Sequence, residues 1–126
     1  NPTERARYEE NSFIRMDGQE IFKFAVRTVP DTVRRVLQAA GIPAEEISHF
    51  VFHQANRRIL LSVAKNLGIP MEKVPMNIER TGNMSAASVP VLLDELNRKG
   101  ELVRGEKLVL SGFGAGLSWG SLVLEW

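Results

Sequence analysis

Two side chains that can donate hydrogen bonds follow strand-like segments of this sequence. His53 comes after residues 49–52, whose aromatic and β-branched character predicts a buried strand. Asn83 comes after residues 73–77, which we interpret as a brief strand at an edge or end of a sheet. An imidazole N–H and a carboxamide NH2 can both stabilise negative charge on a substrate oxygen. Each residue also has a structural alternative, His53 as a strand-end histidine and Asn83 as a helix cap or turn residue.

A third feature with possible chemistry is the glycine-rich loop Gly-Phe-Gly-Ala-Gly at residues 112–116. A dinucleotide-binding loop would need a helix after it, because the helix N-terminus faces the pyrophosphate. Residues 117–124 instead read as a strand, so the pattern favours a tight turn between two strands, with positive φ. Ligands of open α/β sheets bind at the carboxyl ends of strands, and we expect this turn, His53 and Asn83 at one such end.

The helices between these segments are predicted from apolar residues at three- and four-residue spacing. The first runs from Gln19 to a stop at Gly41, with a kink or a junction of two abutting helices at Pro30. The second covers residues 56–67, and the third starts at Ser85, which we expect to be its cap.

Two strands, residues 107–111 and 117–124, follow the third helix. The resulting order of helices and strands predicts an α/β fold, a mixed β-sheet with crossover helices. No strand is predicted before the first helix, which favours a missing partner segment. Residues 1–15 are expected to form an irregular lead-in.

Composition narrows the class of protein. The 126 residues are 44% hydrophobic and 25% charged, which predicts one globular domain. A net charge of +1 gives no electrostatic reason to expect nucleic acid or membrane as a partner. The absence of cysteine excludes disulfides, thiolate metal sites and a cysteine nucleophile from this chain, and we predict no metal site. The N-terminal residues lack an apolar signal-peptide core, so we predict a cytoplasmic protein, and the start at Asn1 suggests a piece of a longer one.

Several motifs carry a resemblance to a known family. His-Gln-Ala-Asn-Arg-Arg-Ile at residues 53–59 resembles the histidine motif of β-ketoacyl-acyl-carrier-protein synthase III, and Gly-Asn-Met-Ser-Ala-Ala-Ser-Val-Pro at residues 82–90 resembles its asparagine motif. Residues 113–121 are similar to its C-terminal glycine loop, and residues 16–25 to the start of the first helix of its C-terminal half. The resemblance implies a thiolase-like fold built from two similar halves, with residues 16–126 as the C-terminal domain.

The resemblance also implies an activity. In this family a cysteine of the first half takes an acyl group from acyl-CoA, usually acetyl-CoA. It then condenses that group with malonyl-acyl-carrier protein, with loss of CO2, in the first elongation step of type II fatty acid synthesis. His53 and Asn83 would be the catalytic pair, and the backbone N–H of Ala115 would contribute to a separate oxyanion hole. The family usually has glycine at this last position, and a positive φ would be less comfortable for Ala115.

The same resemblance assigns binding residues and partners. Gly18, Phe22, Asn56 and Ile59 would line the pantetheine tunnel, and Phe113 would also bind the substrate. The acidic carrier protein would meet Lys23, Arg58 and Lys65, although spacing alone makes Arg58 and Lys65 only a solvated helix face. Acyl-CoA and carrier-bound phosphopantetheine are then substrates, and no cofactor is expected. The other expected partners are the cysteine-bearing N-terminal half and, in a homodimer, a second copy. Alone, this chain should be inactive.

Other interpretations stay open at this point. The parent protein could be a condensing enzyme with branched-chain or longer acyl substrates, or a quinolone- or polyketide-forming relative. It could also be a non-catalytic carrier-protein-binding module. A nucleic-acid-binding module is least favoured, because the basic residues of the second helix have no exposed aromatic residues between them.

Overall fold

The computed structural model describes residues 16–126, and the predicted lead-in at residues 1–15 lies outside the described part. Within that part, three 3₁₀ turns lie between the main elements, at Ala44–Glu46, Met71–Lys73 and Ser85–Ala87. The helices are α1 (Gly18–Ala40), α2 (Arg57–Leu67), α3 (Ile78–Thr81) and α4 (Ser88–Arg98), and the strands are β1 (Ile47–Phe52), β2 (Lys107–Gly114) and β3 (Ser118–Glu125). None of the helices described here is long and apolar enough to cross a bilayer.

The strands form the predicted mixed sheet. The order is β1-β2-β3, with β1 parallel to β2 and β2 antiparallel to β3. Because β1 and β2 are parallel, the chain must cross over between them, and α2 and α4 lie in that crossover. This α/β architecture places the carboxyl ends of β1 and β2 at the same end of the sheet.

Helices cover both faces of β1, because successive side chains of a strand point to opposite faces. Phe50 and Phe52 belong to a core cluster with residues of α1 and α2, whereas Val51 belongs to a second cluster with residues of α4. All three strand residues are at most 1% exposed. The strand is therefore buried on both sides, which holds its carboxyl end in a fixed place.

Helix α1 runs unbroken through Pro30, rather than as the pair of abutting helices that was one of the two expected outcomes. Proline has no N–H, so the carbonyl of Val26 loses its partner within the helix. The side-chain amide of Asn66 in α2 lies 3.5 Å from that carbonyl oxygen. Gly41 ends the helix in the left-handed conformation, at φ 66°, as the sequence predicted. A side chain of α2 thus lies where the carbonyl left unpaired by Pro30 can accept a hydrogen bond.

Two local predictions were wrong. Residues 73–77 form no strand: the N–H of Val74 closes the 3₁₀ turn onto Met71, and Pro75 has no N–H to offer to a ladder. Helix α4 begins at Ser88 rather than at Ser85, which has a φ of 51° and supplies no capping hydrogen bond. The segment between β1 and α4 is therefore a series of short turns around α3.

Candidate active site at the carboxyl end of the sheet

His53 is the first residue after β1, and its backbone N–H continues the ladder by donating to the carbonyl of Ser111 at 2.8 Å. Its half-buried ring is held from two sides. Nδ1 lies 2.6 Å from the hydroxyl oxygen of Ser88, and the ring of Phe113 packs edge-on with centroids 5.2 Å apart. Within residues 16–126, the other ring nitrogen, Nε2, makes no hydrogen bond. The histidine is therefore fixed in orientation, with one nitrogen available for a ligand.

Burial lowers the pKa of His53 below its ordinary value of 6.5, because desolvation disfavours the charged imidazolium. At neutral pH the ring is therefore uncharged. A neutral imidazole has one N–H donor and one acceptor nitrogen, so its two nitrogens have different roles.

Gln54 links the end of β1 to two other segments, and sequence reasoning assigned it no role. Its side chain is fully buried, donates from Nε2 to the carbonyl of Phe52 at 2.9 Å and accepts from the N–H of Asn77 at 3.2 Å. Its backbone N–H donates to the Ser88 hydroxyl at 3.2 Å. Gln54 lies in the same motif as His53, and Ser88 lies in the same motif as Asn83. That shared position is the sequence signal that could have identified them. Together they anchor the loop on which His53 lies.

Asn83 is exposed and lies in the turn that leads to α4. Its side-chain oxygen accepts a hydrogen bond from the N–H of Ser85 at 2.9 Å, so the turn role that was one alternative is observed. With the oxygen held by the backbone, the NH2 group remains as a donor. Gly82 precedes it at φ 66° and ψ −167°, a conformation available essentially only to glycine. The same segment carries Ser88 to the ring of His53, while the approach of His53 to Asn83 itself stays a prediction.

The glycine-rich loop forms the predicted turn between two strands. Gly114 pairs with Ser118, and the turn comprises residues 115–117. The positive φ, 105°, falls on Gly116 and not on Ala115, so the expected discomfort of alanine at position 115 is wrong. Ala115 is exposed at the same end of the sheet as His53. The role of its backbone N–H in an oxyanion hole stays a prediction.

Several of the predicted binding residues line one open cavity of about 830 Å³ between the start of α1 and the start of α2. Gly18, Phe22 and Lys23 come from α1, and Asn56 and Arg58 come from the start of α2. Arg58 places its guanidinium carbon 5.9 Å from the centre of the Phe22 ring, which is a cation–π distance. The structure thus brings together five of the residues that the resemblance assigned to the pantetheine or to the carrier protein.

The other predicted binding residues lie elsewhere. Ile59 is 4% exposed and packs in the core, so it does not line this cavity. Lys65 is exposed in the last turn of α2, and Phe113 lies on β2 against His53. Asn56 has a structural role beside its predicted one, because its side-chain oxygen caps α2 by accepting from the N–H of Arg58 at 2.8 Å.

Comparison with known proteins identifies the family. The family model for the 3-oxoacyl-[acyl-carrier-protein] synthase III C terminal matches residues 37–126. The β-ketoacyl-[acyl-carrier-protein] synthase III of Clostridium acetobutylicum is 45% identical over 126 residues, covering 100% of this chain and 39% of the relative. The chloroplastic enzyme of the same name from Arabidopsis thaliana is 49% identical over 115 residues, 91% of this chain and 28% of the relative.

A solved structure agrees with these relatives. The crystal structure of 3-oxoacyl-(acyl carrier protein) synthase III from Pseudomonas aeruginosa superposes with a TM-score of 0.87 at 49% identity, over 90% of this chain and 36% of that one. The chain therefore spans well under half the length of the relatives it matches. It belongs to the 3-oxoacyl-(acyl carrier protein) synthase III family, of which it forms the C-terminal portion with a thiolase-like α/β fold.

Proposed function

We propose that this chain is the C-terminal half of a β-ketoacyl-acyl-carrier-protein synthase III, which condenses acyl-CoA, in the simplest case acetyl-CoA, with malonyl-acyl-carrier protein. The observation that carries the proposal is the uncharged ring of His53, clamped between Ser88 and Phe113 with Nε2 left for a ligand. Family membership supplies the reaction in which such a donor is needed. The reaction would begin type II fatty acid synthesis.

His53 and Asn83 act in the decarboxylation step. Loss of CO2 from a malonyl thioester leaves an enolate, whose negative charge lies largely on the thioester oxygen. The Nε2–H of His53 and the side-chain NH2 of Asn83 donate to that oxygen, and both groups are oriented by the protein before substrate arrives. Such preorganised donors contribute strongly, since removal of one typically slows a reaction by about 10²–10³-fold.

Acyl transfer requires a nucleophile and an oxyanion hole, which are separate from the His53–Asn83 pair. The chain has no cysteine, so the nucleophile comes from the N-terminal half of the enzyme. The backbone N–H of Ala115, in the exposed β2–β3 turn, stabilises the oxyanion of this step. No cofactor takes part, because acyl-CoA and the phosphopantetheine of the carrier protein are substrates. A cytoplasmic homodimer is the proposed form of the complete enzyme.

The cavity beside α1 and α2 receives the phosphopantetheine arm of the carrier protein. Gly18, Phe22 and Asn56 line it together with two positively charged residues, Lys23 and Arg58, and one carboxylate, Asp17. Both basic side chains are exposed. Arg58 can meet an acidic partner or a phosphate directly, whereas Lys23 is paired with Glu20 at 2.7 Å and would exchange that partner. Lys65, exposed further along α2, extends this basic surface. Ile59 and Phe113 do not line the cavity: Ile59 is buried in the core, and Phe113 packs against that core and against the ring of His53.

The proposal is tested on the complete enzyme, with the cysteine-bearing half present, by measuring two half-reactions separately. In His53→Ala and Asn83→Ala, release of CO2 from malonyl-acyl-carrier protein should fall about 100-fold, whereas acylation from acyl-CoA should continue. Asn97→Ala, an exposed asparagine of α4, is the matched control. Unchanged CO2 release in His53→Ala would refute the proposal, and equal loss of both half-reactions would indicate a folding defect.

A non-catalytic carrier-protein-binding module is the second candidate. The cavity with its basic residues would serve such a module as well, and the chain contains no nucleophile of its own. Mixing the chain with a cysteine-bearing N-terminal half distinguishes the two candidates. Acyl transfer and condensation by the mixture support the enzyme, and tight carrier binding without condensation supports the module.

A further inference from the structure

Ser88 lies where the hydrogen bonds of the site converge. It is the first residue of α4 and is fully buried. Its hydroxyl oxygen lies 2.6 Å from Nδ1 of His53 and 3.2 Å from the backbone nitrogen of Gln54. Both neighbours belong to the loop after β1, so one hydroxyl group connects that loop to the start of α4.

The hydrogen bonds of this hydroxyl can be assigned from what each neighbour is able to do. A hydroxyl has one hydrogen to donate and two lone pairs with which to accept. The N–H of Gln54 can only donate, so it occupies one lone pair of Ser88. Nδ1 of His53 is either a donor or an acceptor, depending on the tautomer.

Burial decides between the two possibilities. If Nδ1 carried the hydrogen and donated it to Ser88, the hydroxyl hydrogen would have no acceptor within residues 16–126. An unpaired polar hydrogen in a fully buried position is unfavourable. If the hydroxyl donates to Nδ1 instead, both the hydroxyl and the Gln54 N–H are satisfied. The second arrangement requires Nδ1 to be unprotonated, which puts the ring hydrogen on Nε2.

We propose that Ser88 is a positioning residue that selects the Nε2–H tautomer of His53 and so presents a hydrogen-bond donor to the substrate oxygen. This inference rests on the function proposed above, because Ser88 acts only through His53. The buried Gln54 side chain supports the arrangement by holding the loop against Phe52 and Asn77. Without the serine hydroxyl, Nδ1 has no hydrogen-bond partner that favours one tautomer over the other.

The first test measures the unmodified site and uses one variant only to assign the signals. In the complete enzyme with ¹⁵N-labelled histidine, the two ring nitrogens of His53 are assigned by the signals that His53→Gln removes. An unprotonated ring nitrogen resonates well downfield of a protonated one. The proposal expects Nδ1 of His53 to be the unprotonated nitrogen at neutral pH. A protonated Nδ1 would overturn it, whatever the kinetics show.

The second test compares three serine variants. Ser88→Ala should let the His53 nitrogens shift toward a mixture of tautomers and slow CO2 release roughly tenfold, the effect of one hydrogen bond, while acylation from acyl-CoA is retained. Ser88→Thr keeps a hydroxyl and should keep the unprotonated Nδ1 signal. Ser121→Ala is the matched control, because it removes a serine–serine hydrogen bond, 2.8 Å long, to Ser111 without contacting the ring.

The outcomes separate this inference from the proposed function. Normal nitrogen shifts and normal CO2 release in Ser88→Ala, with His53→Ala inactive, would overturn the role of Ser88 and leave the proposed function intact. Normal CO2 release in His53→Ala would instead overturn the proposed function. If Ser88→Ala does not fold, the ring-nitrogen shifts of the unmodified enzyme and of Ser88→Thr still decide the inference.

Discussion

The side-chain amide of Asn66 lies 3.5 Å from the carbonyl oxygen of Val26, the acceptor that Pro30 leaves without a partner in α1. Arg34 holds that amide in place by donating to the side-chain oxygen of Asn66 at 2.8 Å and to its carbonyl at 2.6 Å. Helix α2 thus supplies the donor that α1 lacks at Pro30. At this point the two helices are held together by polar contacts in addition to their apolar packing.

Asn66→Ala should therefore destabilise the protein by about 1–2 kcal/mol, because it removes a donor and an acceptor at the helix junction. The loss should shrink in a Pro30→Ala background, where the residue at position 30 again has an N–H for Val26. Urea unfolding of the four proteins in this double-mutant cycle measures the coupling. Equal losses in both backgrounds would show that Asn66 does not compensate for Pro30.

The lowered pKa of His53 predicts how stability varies with pH. Above pH 6.5 the histidine is neutral in both folded and unfolded protein and imposes no penalty. As pH falls below 6.5, the unfolded state takes up the proton first, so the free energy of unfolding decreases until the pH reaches the lower pKa of the folded state. His53→Gln should flatten this part of the curve, measured from denaturation midpoints between about pH 8 and pH 5. An unchanged acid slope in the variant would contradict the prediction.

The turn between β2 and β3 predicts opposite sensitivities at neighbouring positions. Gly116→Ala should cost about 1–3 kcal/mol, because the φ of 105° is unfavourable for a side chain and the new Cβ would lie 3.3 Å from the Ser118 hydroxyl. Ala115→Gly is the matched control, and its cost should stay below about 1 kcal/mol. Thermal or urea unfolding of both variants makes the comparison. A larger loss of stability in Ala115→Gly than in Gly116→Ala would contradict the prediction that the strain of the turn lies at residue 116.

Carrier-protein recognition is predicted to depend on the exposed basic residues of α2. In the complete enzyme, Arg58→Glu and Lys65→Glu should lower turnover of malonyl-acyl-carrier protein about tenfold at low ionic strength, because like charges slow association with an acidic partner. Acylation by a small acyl-CoA should be spared. Arg98→Glu, exposed on α4 and paired with Asp94, is the control for charge reversal alone. Equal loss of both half-reactions would indicate misfolding instead of lost recognition.

The sequence alone predicted the features that depend on local chemistry. Gly41 ends its helix in the left-handed conformation, which glycine adopts without steric cost. The buried strand before His53, the tight turn at residues 112–116 and the mixed sheet were likewise predicted, from residue types, turn residues and the order of elements. Ordered motifs along the chain then led to the family, which the comparisons confirmed.

Tertiary structure decided what local pattern could not. Ser85 looked like a helix cap, yet the cap-like hydrogen bond in that turn is accepted by Asn83. Helix α1 continues through Pro30, and Asn66, distant in the chain, lies 3.5 Å from the carbonyl oxygen that the proline leaves unpaired. Likewise, the contact of Ser88 with His53 joins residues on separate elements, and no spacing rule within one helix or strand predicts it. Propensity acts over a few neighbouring residues, whereas the partner of a buried polar group is chosen by whichever segments the core brings together.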